Sequence, residues 1–236
     1  MASAKSIFGA VVGRFIFTEA RVASVRDVGP RLRIAELAGD ALRGVAWTPG
    51  DKVQVYLPGR GMRTYTPLRW DKERGETSFL LYVHSTTTPG AAWAAGLRAG
   101  DEVSFFGPRS SIRFPELSEP VVLFGDETSF AAGRALHDAR RATCVFEVDD
   151  EAAAKSALDA IGLGGATVVA RGAADAHLPD VAARIAEELA KDTRASLALT
   201  GKAQAIQLLR ARLKASGSLR AGKTKAYWSV GKKGLD

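Results

Sequence analysis

The stretch GMRTYTPLRW, residues 61–70, sets a cation, a flat aromatic ring and two hydroxyls on four consecutive positions, Arg63, Thr64, Tyr65 and Thr66. On a strand, side chains two apart share a face, so Arg63 stands beside Tyr65 while Thr64 and Thr66 lie opposite. An arginine fork suits a pyrophosphate and a tyrosine face suits a planar heterocycle, the two parts of a flavin adenine dinucleotide. A partly exposed cross-strand arginine–tyrosine pair would read the same way.

A second group follows the apolar run VVLFG. Gly125, Asp126, Glu127, Thr128 and Ser129 stand where a strand passes into a helix. Nucleotides bind at that place in open α/β sheets, and the Thr128 and Ser129 hydroxyls and amides suit a phosphate. Asp126 or Thr128 could equally cap the helix. The run SLALTG brings Gly201 and Lys202 to the same edge. Glu147, Asp149 and Asp150 after the second such strand would repel a 2′-phosphate on a dinucleotide, whereas Arg171 after the third could bind one.

Other chemistries fall away. The single cysteine, Cys144, excludes an internal disulfide and a multi-cysteine metal site, and its apolar strand pattern reads as core. His137 on a helix and His177 in a loop have no carboxylate or cysteine at triad or ligand spacing, so no metal site is expected. GSLRAGKT, residues 217–224, fits the phosphate-loop pattern, but it follows a helix where a strand is needed and only twelve residues come after it. No G-x-G-x-x-G follows any strand.

The formal charge of +7 is local. Residues 210–236 hold eight basic side chains against Asp236, and the remaining 25 basic and 25 acidic side chains balance. With only Tyr227 and Trp228 as aromatics in that tail and no recognition motif, no nucleic-acid partner is expected; the tail reads as a solvated basic face or a site for a small anion. The apolar N-terminal run SIFGAVVGRFIF is interrupted by Arg14 and reads as structure, neither leader nor membrane span, which points to a cytoplasmic protein with no membrane partner.

These residues need elements to position them. RVASVRDV and RLRIAEL meet at Gly29-Pro30, then DKVQVYL, MRTYTPL, TSFLLYVH and DEVSFFG follow as short strands, the pattern of a small antiparallel barrel. Only the alanine-rich PGAAWAAGLRAG interrupts it, as a short helix. Beyond SIRFPELSEP, short apolar runs alternate with helical patterns, and KAYWSV closes the chain as a last strand. That alternation predicts a parallel sheet with helices on both faces. The expected organisation is two domains, residues 1–117 and 118–236. In that order, a flavin on a barrel meets a nicotinamide on an α/β domain.

RTYT, LYVH, TPGAAWAAGLRAGDEVSFFGPRSS, LFGDETS and AYWSVGKKG occur in an order and at a spacing that resembles the siderophore-interacting proteins, FAD-dependent ferric-siderophore reductases of the ferredoxin-reductase-like superfamily. The resemblance covers nearly the whole chain. It implies that Arg63 binds flavin phosphate, Tyr65 packs on the isoalloxazine, Thr66 hydrogen-bonds near its reactive edge, His84 touches the flavin, and Thr64 belongs to the same FAD-binding group. It further implies that the amides of Gly90, Ala91 and Ala92 cradle the pyrophosphate with Trp93 behind them, as a helix N-terminus can. Gly125, Asp126, Glu127, Thr128, Ser129 and Gly201 are the implied NADH or NADPH site. Trp228 is counted with that site, and in related reductases an aromatic near the C-terminus covers the flavin face. Tyr227 or Trp228 could do this, or both could anchor the last strand.

The chain departs from the family pattern at Ala91, often serine, at Leu68, often arginine, with Arg69 one residue late, at Lys202, usually acidic, and at Gln54, usually basic. The implied activity is hydride transfer from NAD(P)H to flavin and single-electron reduction of a ferric siderophore, with Lys232 and Lys233 drawing in the anionic chelate. The alternatives are a general NAD(P)H:flavin oxidoreductase serving ferredoxin or another acceptor, and a non-catalytic siderophore or nucleotide binder.

Overall fold

A computed structural model of the chain describes residues 17–85 and 87–231. Most of SIFGAVVGRFIF lies outside the described residues, as do Lys232 and Lys233. Seven antiparallel strands come first: β1 (Thr18–Gly29), β2 (Leu32–Ala38), β3 (Lys52–Leu57), β4 (Gly61–Tyr65), β5 (Pro67–Asp71), β6 (Glu76–Tyr82) and β7 (Glu102–Arg109). Helix α1 (Pro89–Gly96) lies between β6 and β7. The sheet order is β4-β3-β7-β1-β2-β6-β5, so consecutive strands β4 and β5 form its two edges.

MRTYTPL is therefore two strands where one was expected. Thr66 belongs to neither: Gly61–Tyr65 pairs with β3, and Pro67–Asp71 crosses to pair with β6. The residue before a proline is held out of the helical region, which suits this corner, and Pro67 itself sits at an edge where a missing N–H is tolerated. A bulge between Pro67 and Arg69 shifts the register at Leu68.

The second half holds β8 (Val121–Gly125), α2 (Phe130–Ala139), β9 (Ala142–Val148), α3 (Glu151–Ala160), β10 (Thr167–Ala170), α4 (Leu178–Ala190), β11 (Ser196–Lys202), α5 (Ala203–Ala215) and β12 (Gly222–Trp228). All five strands are parallel, in the order β10-β9-β8-β11-β12. The chain walks outward from β8 to β10 and then returns to β11 on the other side of β8, which creates a crevice at the strand ends between β8 and β11. Every residue of β8 is buried, as a central parallel strand covered on both faces requires. The last strand starts at Gly222, earlier than expected. Gly222, Lys223 and Thr224 of the phosphate-loop match are thus strand residues paired with β11.

Three cores hold these layers. Val53, Val55, Leu57, Phe79, Leu81 and Phe105 fill the barrel. Val122, Phe124 and Leu199 pack with α4 and α5 on one face of the parallel sheet. The third core joins the halves: Val28, Leu32, Ile34 and Leu80 from the barrel meet Phe130, Phe146 and Leu158, with Ile112, Phe114 and Leu117 of the connection between them.

Candidate functional site

On β4, Arg63 and Tyr65 are partly buried and Thr64 is exposed, as the alternation predicts. The Arg63 stem lies over the start of α1, so that a Cβ on Gly90 would come 3.2 Å from Arg63 Cγ and 3.4 Å from Nε. Glycine at 90 is what lets the arginine and the helix N-terminus share one spot. There the amides of Gly90 and Ala91 have no backbone partner among the described residues, whereas Ala92 donates to the Thr88 carbonyl at 2.9 Å. The Ala92 amide is thus spent on the helix's own turn and is not available to a phosphate, while the Gly90 and Ala91 amides and the Arg63 guanidinium form a candidate cradle. Ala91 is buried.

Behind this candidate cradle the Tyr65 ring stacks on Phe79 at 6.2 Å and meets Trp93 at 5.6 Å. Burial pushes the Tyr65 phenol above its ordinary value, so it stays a neutral donor. Thr66 occupies the partly buried corner where the barrel closes. His84 lies past the end of β6, exposed, with Nε2 3.2 Å from Thr88 Oγ1 and its ring 5.8 Å from Tyr82. Leu68 packs on the core between the halves, and Arg69 is paired with Glu36 at 2.6 Å, so neither reaches the cradle. Set against a flavin nucleotide, the residues fit: a cation and two amides for phosphate, and an aromatic wall for a planar ring.

At the parallel-sheet crevice, Asp126, Thr128, Gly201 and Trp228 come together. Asp126 accepts from the Thr128 amide at 2.9 Å and from the Thr128 hydroxyl, and its other oxygen accepts from Trp228 Nε1 at 2.7 Å. Gly201 has a φ of 94° and lies so near that carboxylate that a Cβ would come 2.5 Å from Oδ2. Gly125 is equally confined, its missing Cβ falling 2.7 Å from the Thr200 hydroxyl and against Ser129. The Ser129 hydroxyl is buried with no partner among the described residues. Trp228 thereby anchors the last strand, one of the two expected roles. Burial, opposed by the Thr128 and Trp228 hydrogen bonds, raises the Asp126 carboxyl above the usual carboxylate range.

Glu127 turns inward instead. Its carboxylate accepts from the Asp149 amide at 2.7 Å and pairs with Arg171, leaving nothing of it for a ligand. Arg171 also pairs with Asp149 and stands 3.6 Å from Glu147, so the cation considered for a 2′-phosphate is enclosed by three carboxylates. Asp149 in turn accepts from Tyr82 at 2.6 Å and Arg31 at 3.1 Å, tying this edge to the barrel. His177 does have a carboxylate partner: Nε2 lies 2.7 Å from buried Glu147, thirty residues away in sequence. The Gly172 amide donates to Nδ1 at 3.1 Å, which leaves Nε2–H to donate to Glu147 and occupies both ring nitrogens. Asp150 caps α3, and Lys202 is paired with Asp175 at 2.7 Å.

Sequence reasoning missed one basic group. An open cavity of about 530 Å³ on the barrel is lined by Lys52, Gln54, Arg109 and Ser110. Arg109 is hydrogen-bonded to Gln54, and its guanidinium lies 4.6 Å from the Phe106 ring centre. The register Lys52↔Arg109 makes them neighbours, which only the pairing of β3 with β7 reveals.

An antiparallel seven-stranded sheet followed by a five-stranded parallel sheet with helices on its faces is a ferredoxin-reductase-like fold. Residues 59–112 match the family model described as the siderophore-interacting FAD-binding domain, which supports FAD as the cofactor. Among solved structures the chain is similar to a siderophore utilization protein from T. fusca, with 26% identity, a TM-score of 0.73 and coverage of 93% of this chain and 95% of that one. It also resembles the siderophore-interacting protein SipS from Aeromonas hydrophila, at 18% identity, a TM-score of 0.74 and coverage of 92% and 93%. Phthalate dioxygenase reductase shares the fold at 16% identity and a TM-score of 0.69, over 92% of this chain and 70% of that one. Comparison with curated proteins yields no match. The resemblance to the siderophore-interacting proteins read from the sequence is borne out by the family model and by these structures. No helix among the described residues is long and apolar enough to cross a membrane.

Proposed function

We propose that the protein is a flavin-dependent reductase of ferric siderophores, with residues 1–117 holding FAD and residues 118–236 receiving NADH or NADPH. The observation that carries this reading is the cradle of Arg63, Gly90 and Ala91 beside Tyr65, inside the segment that matches the siderophore-interacting FAD-binding domain. When bound, FAD would supply the redox chemistry that links two-electron hydride donation by reduced nicotinamide to one-electron reduction of ferric iron in a chelate.

The chain's own residues bind and orient. Arg63 and the two amides would neutralise the pyrophosphate, and Tyr65, held by Phe79 and Trp93, would present a fixed face to the ring. Gly125 and Gly201 let Ser129, Thr200 and Asp126 pack against the strand ends, and the buried Ser129 hydroxyl, with no partner among the described residues, is the group suited to a nicotinamide nucleotide. Asp126 and Trp228 hold that crevice in shape. Lys52 and Arg109 line the cavity best suited to an anionic chelate and stand in for the basic residue missing at Gln54. Hard oxygen donors hold Fe(III) better than Fe(II), so reduction loosens the iron, and no acid or base is required of the protein.

The test is an anaerobic visible spectrum of the purified protein. Flavin absorbance that bleaches with NADH or NADPH and returns on adding a ferric siderophore supports the reading. Reoxidation by ferredoxin but by no ferric chelate would make the protein a ferredoxin-linked reductase, and a protein that takes up no flavin would overturn both.

A further inference from the structure

Helix α1 has little reason to form by itself. It has eight residues, PGAAWAAG, with a glycine near each end, no charge, and no side-chain hydrogen bond from its N-cap Thr88, whose hydroxyl faces His84. Helices this short are unstable in isolation, and the last four carbonyls of any helix lack intrahelical partners. Within its own sequence α1 has no basic residue in the last turn to meet them.

Arg33 meets them from another element. It sits on β2, between β1 and β6, with its side chain about four-fifths buried. One guanidinium nitrogen, Nη1, donates to the carbonyls of Ala94 at 2.7 Å and Ala95 at 2.8 Å and approaches that of Leu97 at 3.4 Å. Nε donates to Asp27 at 2.8 Å, which fixes the plane of the fork. A cation on those carbonyls also opposes the negative end of the helix dipole. The helix is thus mounted at both ends: at its C-terminus by Arg33, and at its N-terminus by Arg63 packed on Gly90.

We infer that Arg33 is a positioning residue for the flavin phosphate site, acting through α1 on the amides of Gly90 and Ala91 without touching the ligand. This rests on the flavin reading above. Losing the carbonyl clamp would let α1 shift or fray, so the two amides would no longer converge with the Arg63 guanidinium.

The experiment measures FAD affinity of the full-length chain, by the fluorescence of released FAD, together with amide hydrogen exchange. Arg33→Gln is expected to weaken FAD by about tenfold, the size of one lost charge-assisted hydrogen bond. Faster exchange should be confined to α1. Arg33→Lys, which can reach a carbonyl but lacks the planar fork, is expected to lose about threefold, and it carries the test if the glutamine variant does not fold. Unchanged FAD affinity in these variants, or exchange raised equally throughout the barrel, would overturn the inference while leaving the flavin reading intact. A wild-type chain that takes up no FAD would instead remove the reading, and the role of Arg33 with it.

Discussion

At the scale of single residues, Arg63 is the side chain on which the proposed flavin binding would turn. It is the cation at the mouth of α1, where a Cβ on Gly90 would come 3.2 Å from its Cγ. Arg63→Ala is expected to weaken FAD binding roughly tenfold to a hundredfold, the range for hydrogen bonds to charged groups, and a fluorescence titration measures it. Cys144 makes the opposite case. Burial alone pushes its thiol up to about 12, so it stays protonated through neutral and mildly alkaline pH. Thiolate is the reactive form. Iodoacetamide at pH 8 is therefore expected to leave the folded protein unlabelled and to modify Cys144 once denaturant is added, as mass spectrometry would register.

At the scale of elements, the junction of β8, the turn at 127–129 and β12 depends on one carboxylate. Asp126 joins the Thr128 amide to the Trp228 indole, and Gly201 approaches too closely to permit a Cβ. Asp126→Asn puts an amide where Trp228 needs an acceptor, and a loss of about 1–3 kcal/mol is expected at acid pH, the cost of an unsatisfied buried group. The pH dependence follows from the raised Asp126 carboxyl. For an acid whose folded pKa lies above its unfolded value, the stabilisation is complete below the unfolded pKa and is lost as pH rises through the folded one. The stability gap between wild type and variant should therefore be widest near pH 4 and narrow towards pH 7. Urea unfolding at the two pH values would detect the trend, and a gap that widens with pH would contradict it.

At the scale of the whole molecule, the barrel and the parallel sheet share a core. Phe114, 1% exposed, lies in the connection and packs with residues from both halves. Tyr82 and Arg31 of the barrel further bind Asp149 at the edge of the parallel sheet, where Arg171 is enclosed by Glu127, Glu147 and Asp149. Two sheets joined in this way should unfold together. Phe114→Ala is expected to cost about 3–5 kcal/mol, as large-to-small changes in cores do, while transitions followed by tryptophan fluorescence and by circular dichroism stay coincident. Separated transitions would mean that the shared core does not couple the halves.

Much of this was legible in the chain. The period-two runs and the later strand–helix alternation marked both sheets, because burial of one face leaves a period in the sequence. The neighbourhood of Arg63 and Tyr65 follows from strand alternation alone. Contacts made across long separations carry no such mark. That MRTYTPL turns a corner at Thr66, that His177 meets Glu147, that Arg171 is enclosed rather than open to a ligand, and that Arg33 clamps a helix some sixty residues away all depend on which strands become neighbours. Local patterning determined which elements form and which side chains face together within each. The pairing of those elements in three dimensions alone decided which charged groups are left to bind a ligand and which are spent on one another, since a charge's availability depends on the partners that folding brings to it.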